Sequence, residues 1–264
     1  MKRLITLAGL MCLMMLAAGA DLKVLAQADF NWRGSLAAGR VVEIKGVNGN
    51  VEARPSRSGQ VEVRAERRAR RSNPEEVRVE VIEHADGVTI CAVYPSADTS
   101  RPNTCQPGDG GHMSVRNNDT SVNFFVSVPA GVRFRGKTVN GNVGAEGLAA
   151  DVDAKTVNGN VRVSTTGLAS AKTVNGSITA ALGRADWTDG LEFKTVNGEI
   201  DLSLPASLST TVEAETLNGD IQTDFALTVT GRFSKRRLSG TIGGGGRELR
   251  LKTVNGSVHI RRAS

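Results

Sequence analysis

Apolar and polar residues alternate along much of the chain, and after residue 28 no sustained i, i+3, i+4, i+7 apolar spacing appears. VVEIK at 41–45, QVEVRA at 60–65, VRVEVIE at 77–83, VTICAVY at 88–94 and SVNFFVSV at 121–128 set apolar side chains at every second position. That period marks half-buried strands. Residues 95–120, crowded with Pro, Gly, Ser, Asn and Asp, read as a long loop. The fold class is all-β.

A second rhythm begins at Lys137. KTVNGNV at 137–143 recurs at 155–161, and near copies follow at 172–178, 194–200, 215–221 and 252–258. RLSGTI at 237–242 puts Ser239 where the phrase has Asn, and GVNGNV at 46–51 is an earlier copy. The interval is roughly 19 residues, close to the shortest periods of stacked repeats. Two arrangements fit. Asn-Gly is the strongest hairpin signal, because both residues tolerate φ > 0. A hairpin about Asn158-Gly159 would gather Val152, Ala154, Thr156, Val161 and Val163 on one face. Alternatively each period is one coil of a parallel β-solenoid, with a corner at Asn140-Gly141, Asn158-Gly159, Asn175-Gly176, Asn197-Gly198, Asn218-Gly219 and Asn255-Gly256. The solenoid explains why Lys-Thr-Val precedes each corner, since stacking rewards identical residues and lets amides hydrogen-bond in a ladder. The expected architecture is therefore a β-helix-like solenoid of about seven coils over 131–264. A strand-rich, disulfide-tethered segment at 29–130 precedes it. Uneven intervals become loops bulging from one side, such as LGRADWTDG at 182–190.

Composition supports a thin core flanked by many turns. Aromatics are 4% and Gly is 30 of 264 residues, against about 7% Gly in ordinary chains. The chain opens with Lys2 and Arg3, an uncharged run from Leu4 to Ala20, and Ala26-Gln27-Ala28. This is the pattern of a secretory signal peptide over residues 1–28. Loss of that segment removes Cys12 and leaves Cys91 and Cys105, an even pair that an oxidising compartment joins as a disulfide. The net charge of +6 is mildly basic and permits contact with anionic surfaces without requiring it.

Candidate chemistry is sparse. Arg64, Arg67, Arg68, Arg70 and Arg71 crowd a strand end. They either guard an exposed sheet edge or contact a phosphate- or carboxylate-bearing polymer. No aromatic residues interleave with them, so a nucleic-acid reader is not expected. Lys137, Lys155, Lys172, Lys194 and Lys252 form either a solvated face or a cationic stripe, and the Thr column reads as strand-forming residues. Trp187, with Asp186 and Asp189, either contacts a sugar ring or covers one coil. GGGGRE at 243–248 lacks the Lys-Ser/Thr of a phosphate loop. Asp151 and Asp153 are a tight acidic pair in the repeats, and His84, His112 and His259 are scattered. No catalytic, metal-ligating or cofactor-binding residue is expected.

The exported start, the CAVYP segment with a second Cys after it, VSVPAGV at 126–132 and the serial TVNG-x-V/I units together resemble the bacterial putative-adhesin family. That is a domain of unknown function whose predicted fold is a β-solenoid. The resemblance implies an envelope or extracellular location and an adhesive or scaffolding role, with no catalytic residues to transfer. The expectation is a non-enzymatic exported protein, periplasmic, cell-surface or extracellular, that meets cell-surface or extracellular polymers. It would have no membrane span once the signal is removed. The alternative is a secreted β-helix enzyme acting on polysaccharide.

Overall fold

A computed structural model describes residues 28–184, 186–187, 190–229 and 234–263. Residues 1–27, which hold Cys12 and all but the last residue of the expected signal peptide, and Asp189 lie outside the described residues. Seven strands precede the repeats: β1 (Ala28–Gly34), β2 (Val41–Lys45), β3 (Val51–Pro55), β4 (Val61–Arg68), β5 (Arg78–His84), β6 (Gly87–Val93) and β7 (Ser121–Val128). Strands then come in pairs across each Asn-Gly: β8 (Arg133–Lys137) and β9 (Val143–Leu148), β10 (Val152–Lys155) and β11 (Val161–Thr165), β12 (Ala169–Lys172) and β13 (Ile178–Leu182), β14 (Leu191–Lys194) and β15 (Ile200–Leu204), β16 (Thr210–Glu215) and β17 (Ile221–Thr223). β18 (Leu227–Val229), β19 (Arg237–Ile242), β20 (Glu248–Lys252) and β21 (Val258–Arg262) complete the order.

The two strands flanking an Asn-Gly never pair with each other. β10 pairs in parallel with β8 and β12, while β11 pairs in parallel with β9 and β13. The hairpin arrangement is thereby excluded, and the path is solenoid-like. One strand of each coil lies in a ten-stranded sheet A and the other in an eleven-stranded sheet B, and both sheets run across residue 130. Inward side chains from the two sheets meet in one core. That core is thin enough to need size matching. Gly136 faces inward, and a Cβ there would come 3.0 Å from the ring of Phe134 and from Val143. The missing side chain makes room for one of the few aromatic rings.

Coils do not stack in sequence order at either end. The β2–β3 coil lies between β6–β7 on one side and β8–β9 on the other. At the far end β20–β21 is inserted between β14–β15 and β16–β17. Antiparallel strands finish the stack, β1, β4 and β5 at one end and β18 and β19 at the other. Ser239-Gly240 is not a corner, as the repeat pattern led us to expect. It lies within β19, paired antiparallel with Val212 and Glu213 of β16. The seventh corner is Asn48-Gly49 instead.

The corners are held by three stacked elements. Asn side chains form a one-way amide ladder in the order 48, 140, 158, 175, 197, 255, 218, each Nδ2 donating to the Oδ1 before it at 2.7–2.8 Å. The buried Thr hydroxyls donate to Gly carbonyls of the adjoining coil, as Thr156 does to Gly141 at 2.8 Å and Thr173 to Gly159 at 2.9 Å. Glycine is required by close approach. A Cβ on Gly159 would lie 2.0 Å from the Gly141 carbonyl oxygen. The expected positive φ at this residue is not found, because Gly159 is absent from the positive-φ glycines of the chain. Each neutral bond contributes about 1 kcal/mol net, and the columns repeat it coil after coil.

Candidate functional site

The arginine segment is not a free strand edge. β4 is paired on both sides, with β1 and with β7, so the expectation that these residues guard an exposed edge is overturned. Arg64 and Arg68 both pair with Glu66, the latter at 3.0 Å, and the Arg64 guanidinium stacks 4.6 Å above the Phe125 ring. Arg67 donates to the Val77 carbonyl at 2.8 Å. Beyond the strand, the backbone N–H groups of Arg70, Arg71 and Ser72 donate to the Asp119 carboxylate at 2.9–3.3 Å. These bonds, that from Ser72 foremost, hold its pKa below the usual carboxylate value.

The outward face of sheet B is largely committed to internal pairing. Lys155 meets Asp153 at 3.0 Å, Lys172 meets Glu192, Arg250 bridges Glu213 and Glu248, and Lys252 meets Glu215 at 2.9 Å. Asp151 accepts from the Leu168 N–H and Asp153 from the Ser170 hydroxyl, each at 2.9 Å, so the tight acidic pair of the repeats is occupied as well. Near β2 the long loop lies on this face, tied to β6 by the Cys91–Cys105 disulfide. Lys45 donates to the carbonyls of Gln106 and Gly110, and Lys137 to the Gly108 carbonyl and Asp109. Gly108 N–H and the Thr89 hydroxyl in turn donate to Glu43, which is 1% exposed. Burial lowers the Lys45 pKa, and the bond from Lys137 lowers that of Asp109. Trp187 is buried and its indole N–H reaches the Arg247 carbonyl at 3.4 Å. It covers a coil rather than facing a ligand.

The outward face of sheet A is different. Strand register sets Arg64, Phe125, Glu52, Gly144, Arg162 and Thr179 in one row across β4, β7, β3, β9, β11 and β13. No heavy atom lies within 4 Å of where a Gly144 Cβ would stand. The glycine therefore opens a notch instead of permitting a close contact. Around it is a cavity of about 470 Å³, walled by Asn50, Asn142 and Asn160 towards the corner and by Arg54 and Glu146 further along the strands. A second hollow of about 500 Å³ shares Glu52 and Arg54 and extends the trough past Phe125 to Asn31 and Arg33. The side chains of Glu52, Arg54, Glu146 and Arg162 make no ion pair or hydrogen bond among the described residues. The wall amides use only their oxygens: Asn50, Asn142 and Asn160 accept from the N–H groups of Asn142, Asn160 and Ser177 at 2.8–2.9 Å. Three amide NH2 groups, two carboxylates and two guanidinium groups thus surround the notch without internal partners among the described residues. None was among the residues singled out from sequence. The missed signal was alignment on the repeat, for Glu52, Gly144 and Arg162 each follow their corner Asn by four positions.

Residues 133–261 match the model of a family described as Toastrack DUF4097. No curated protein matches the chain. Among solved structures, a putative cell adhesion protein from Clostridium sporogenes is similar at 12% identity and TM-score 0.47, over 89% of this chain and 100% of that one. A putative adhesin from Bacteroides fragilis is similar at 13% identity and TM-score 0.38, over 90% and 99%. One from Parabacteroides distasonis follows at 11% and 0.32, over 89% and 97%. These scores mark distant likenesses.

Proposed function

We propose that this chain, whose residues 133–261 match the Toastrack DUF4097 model, is an exported, non-enzymatic, adhesin-like surface whose contact is the sheet A trough. The supporting observation is the contrast between the two outward faces. Charges on sheet B are mostly paired with one another, whereas the side chains of Glu52, Arg54, Glu146 and Arg162 around the notch have no partner among the described residues. Unpaired planar polar groups on a rigid sheet are suited to bind without reorganising. Two carboxylates and two guanidinium groups balance, so the ligand is neutral. Amide, carboxylate and guanidinium groups each span adjacent hydroxyls, so the ligand class is a neutral, hydroxyl-rich extracellular polymer.

Gly144→Gln supplies the test, because its Cβ meets nothing within 4 Å and its side chain extends into the notch. Screened against neutral and acidic glycans, the wild type is expected to bind a neutral one. The variant should lose most of that binding while its unfolding free energy stays within roughly half a kcal/mol of wild type. Undiminished binding by the variant would refute the trough. If binding instead favours polyanions, falls steeply with salt and is lost in an Arg70→Gln, Arg71→Gln double variant, the contact is the arginine loop.

A further inference from the structure

Seven Asn-Gly pairs stand at the corners, and Asn-Gly is chemically fragile. Once deprotonated, the glycine nitrogen attacks Cγ of the preceding asparagine. A C–N bond forms, the Cγ–Nδ2 bond breaks and ammonia leaves, giving a cyclic imide that water opens to aspartate or isoaspartate. The step needs no oxidant, only base and water. It does need a free glycine N–H, and an N–H held in a hydrogen bond reacts only after local opening.

Six of the seven are held. The N–H groups of Gly49, Gly141, Gly159, Gly176, Gly198 and Gly256 each donate to an Asn carbonyl of the adjoining coil at 2.8–2.9 Å. Asn218-Gly219 ends the ladder. Asn218 is exposed, and its Nδ2 still donates to Asn255 at 2.7 Å. Neither its Oδ1 nor the Gly219 N–H has a partner among the described residues. We propose that Asn218 is the deamidation site of this protein, and that stacking shields the other six pairs. Reaction there removes the last rung of the ladder and adds a negative charge two residues from Asp220. An isoaspartate product also lengthens the backbone at the corner.

The test is peptide mapping of the purified full-length protein after incubation at mildly alkaline pH, with a parallel sample unfolded in urea. In the native protein Asn218 should convert at least about tenfold faster than any other Asn-Gly, since the others must first break a rung. In urea the seven should converge, because every pair has the same next residue. Asn48, at the opposite end of the ladder, should stay slow because its Gly49 N–H is bonded. An interior pair reacting as fast as Asn218 in the native protein overturns the proposal. So does an Asn218 that stays unchanged in the native protein while all seven react in urea.

Discussion

Gly159→Val is expected to cost at least about 4 kcal/mol or to prevent folding, while Lys155→Ala in the same coil changes stability by roughly half a kcal/mol. The difference lies in what each side chain would meet. The valine Cβ would fall 2.0 Å from the Gly141 carbonyl oxygen and 2.5 Å from its carbon. Both atoms belong to the backbone, so no rotamer change relieves the overlap. The coil is also unable to retreat. Thr156 bonds the same carbonyl at 2.8 Å, Asn158 donates into the ladder at 2.8 Å, and Gly159 N–H bonds Asn175 at 2.9 Å. Separating the coils breaks these bonds together and opens the core beneath. Lys155 makes a surface pair with Asp153, which salt screens. Urea denaturation of both variants decides the matter, and comparable losses would show that coil contact does not make this glycine necessary.

Loss of the Cys91–Cys105 disulfide is expected to cost about 3 kcal/mol. The sequence separation is 14, and in the chain-entropy model a loop of that size frees about this much denatured-state entropy when opened. The native side adds a second effect. The disulfide holds the loop over Glu43, whose buried carboxylate relies on the Gly108 N–H for one of its bonds. If the loop lifts, a buried charge loses a donor, which is costly in a dry setting. The measurement is the urea midpoint of a Cys91→Ala, Cys105→Ala double variant against the oxidised wild type, with thiol labelling of the denatured, unreduced wild type expected to find no free thiol. Two reactive thiols, or a loss well below about 1 kcal/mol, would mean that the lysine contacts hold the loop without the covalent tie.

Strand positions and corner identity were legible because both are written locally, in period-two apolar spacing and in a repeated phrase. Stacking order was not. Asn218 and Asn255 carry nearly the same flanking residues, so either fits beside Asn197, and only the connecting segments decide which one does. The reason for each corner glycine was hidden for a related cause, since a turn that needs φ > 0 and a coil that needs close approach select the same residue. The interior place of β4 was invisible because its partner β1 begins beside the signal-like segment. As for the trough, Gly144 looks like an ordinary weak position in a strand. Its meaning depends on Glu52 and Arg162, which sequence holds far apart and register brings to either side.

The insertion of β20–β21 between older coils bears on how the molecule assembles. Synthesis delivers β16 and β17 before β20 and β21, yet among the described residues β17 pairs only with β21, and β14 and β15 each have one free edge until the β20–β21 coil arrives. The C-terminal end therefore cannot fold in the order in which it is made. Its closing contacts span long stretches of chain, the kind that form slowly because loop closure precedes any gain. Until they form, two unpaired strand edges stand open to whatever strand is nearest, and the repeated phrase makes Asn218 a ready but mistaken neighbour for Asn197. The β20–β21 coil thus controls whether the stack closes in its proper order.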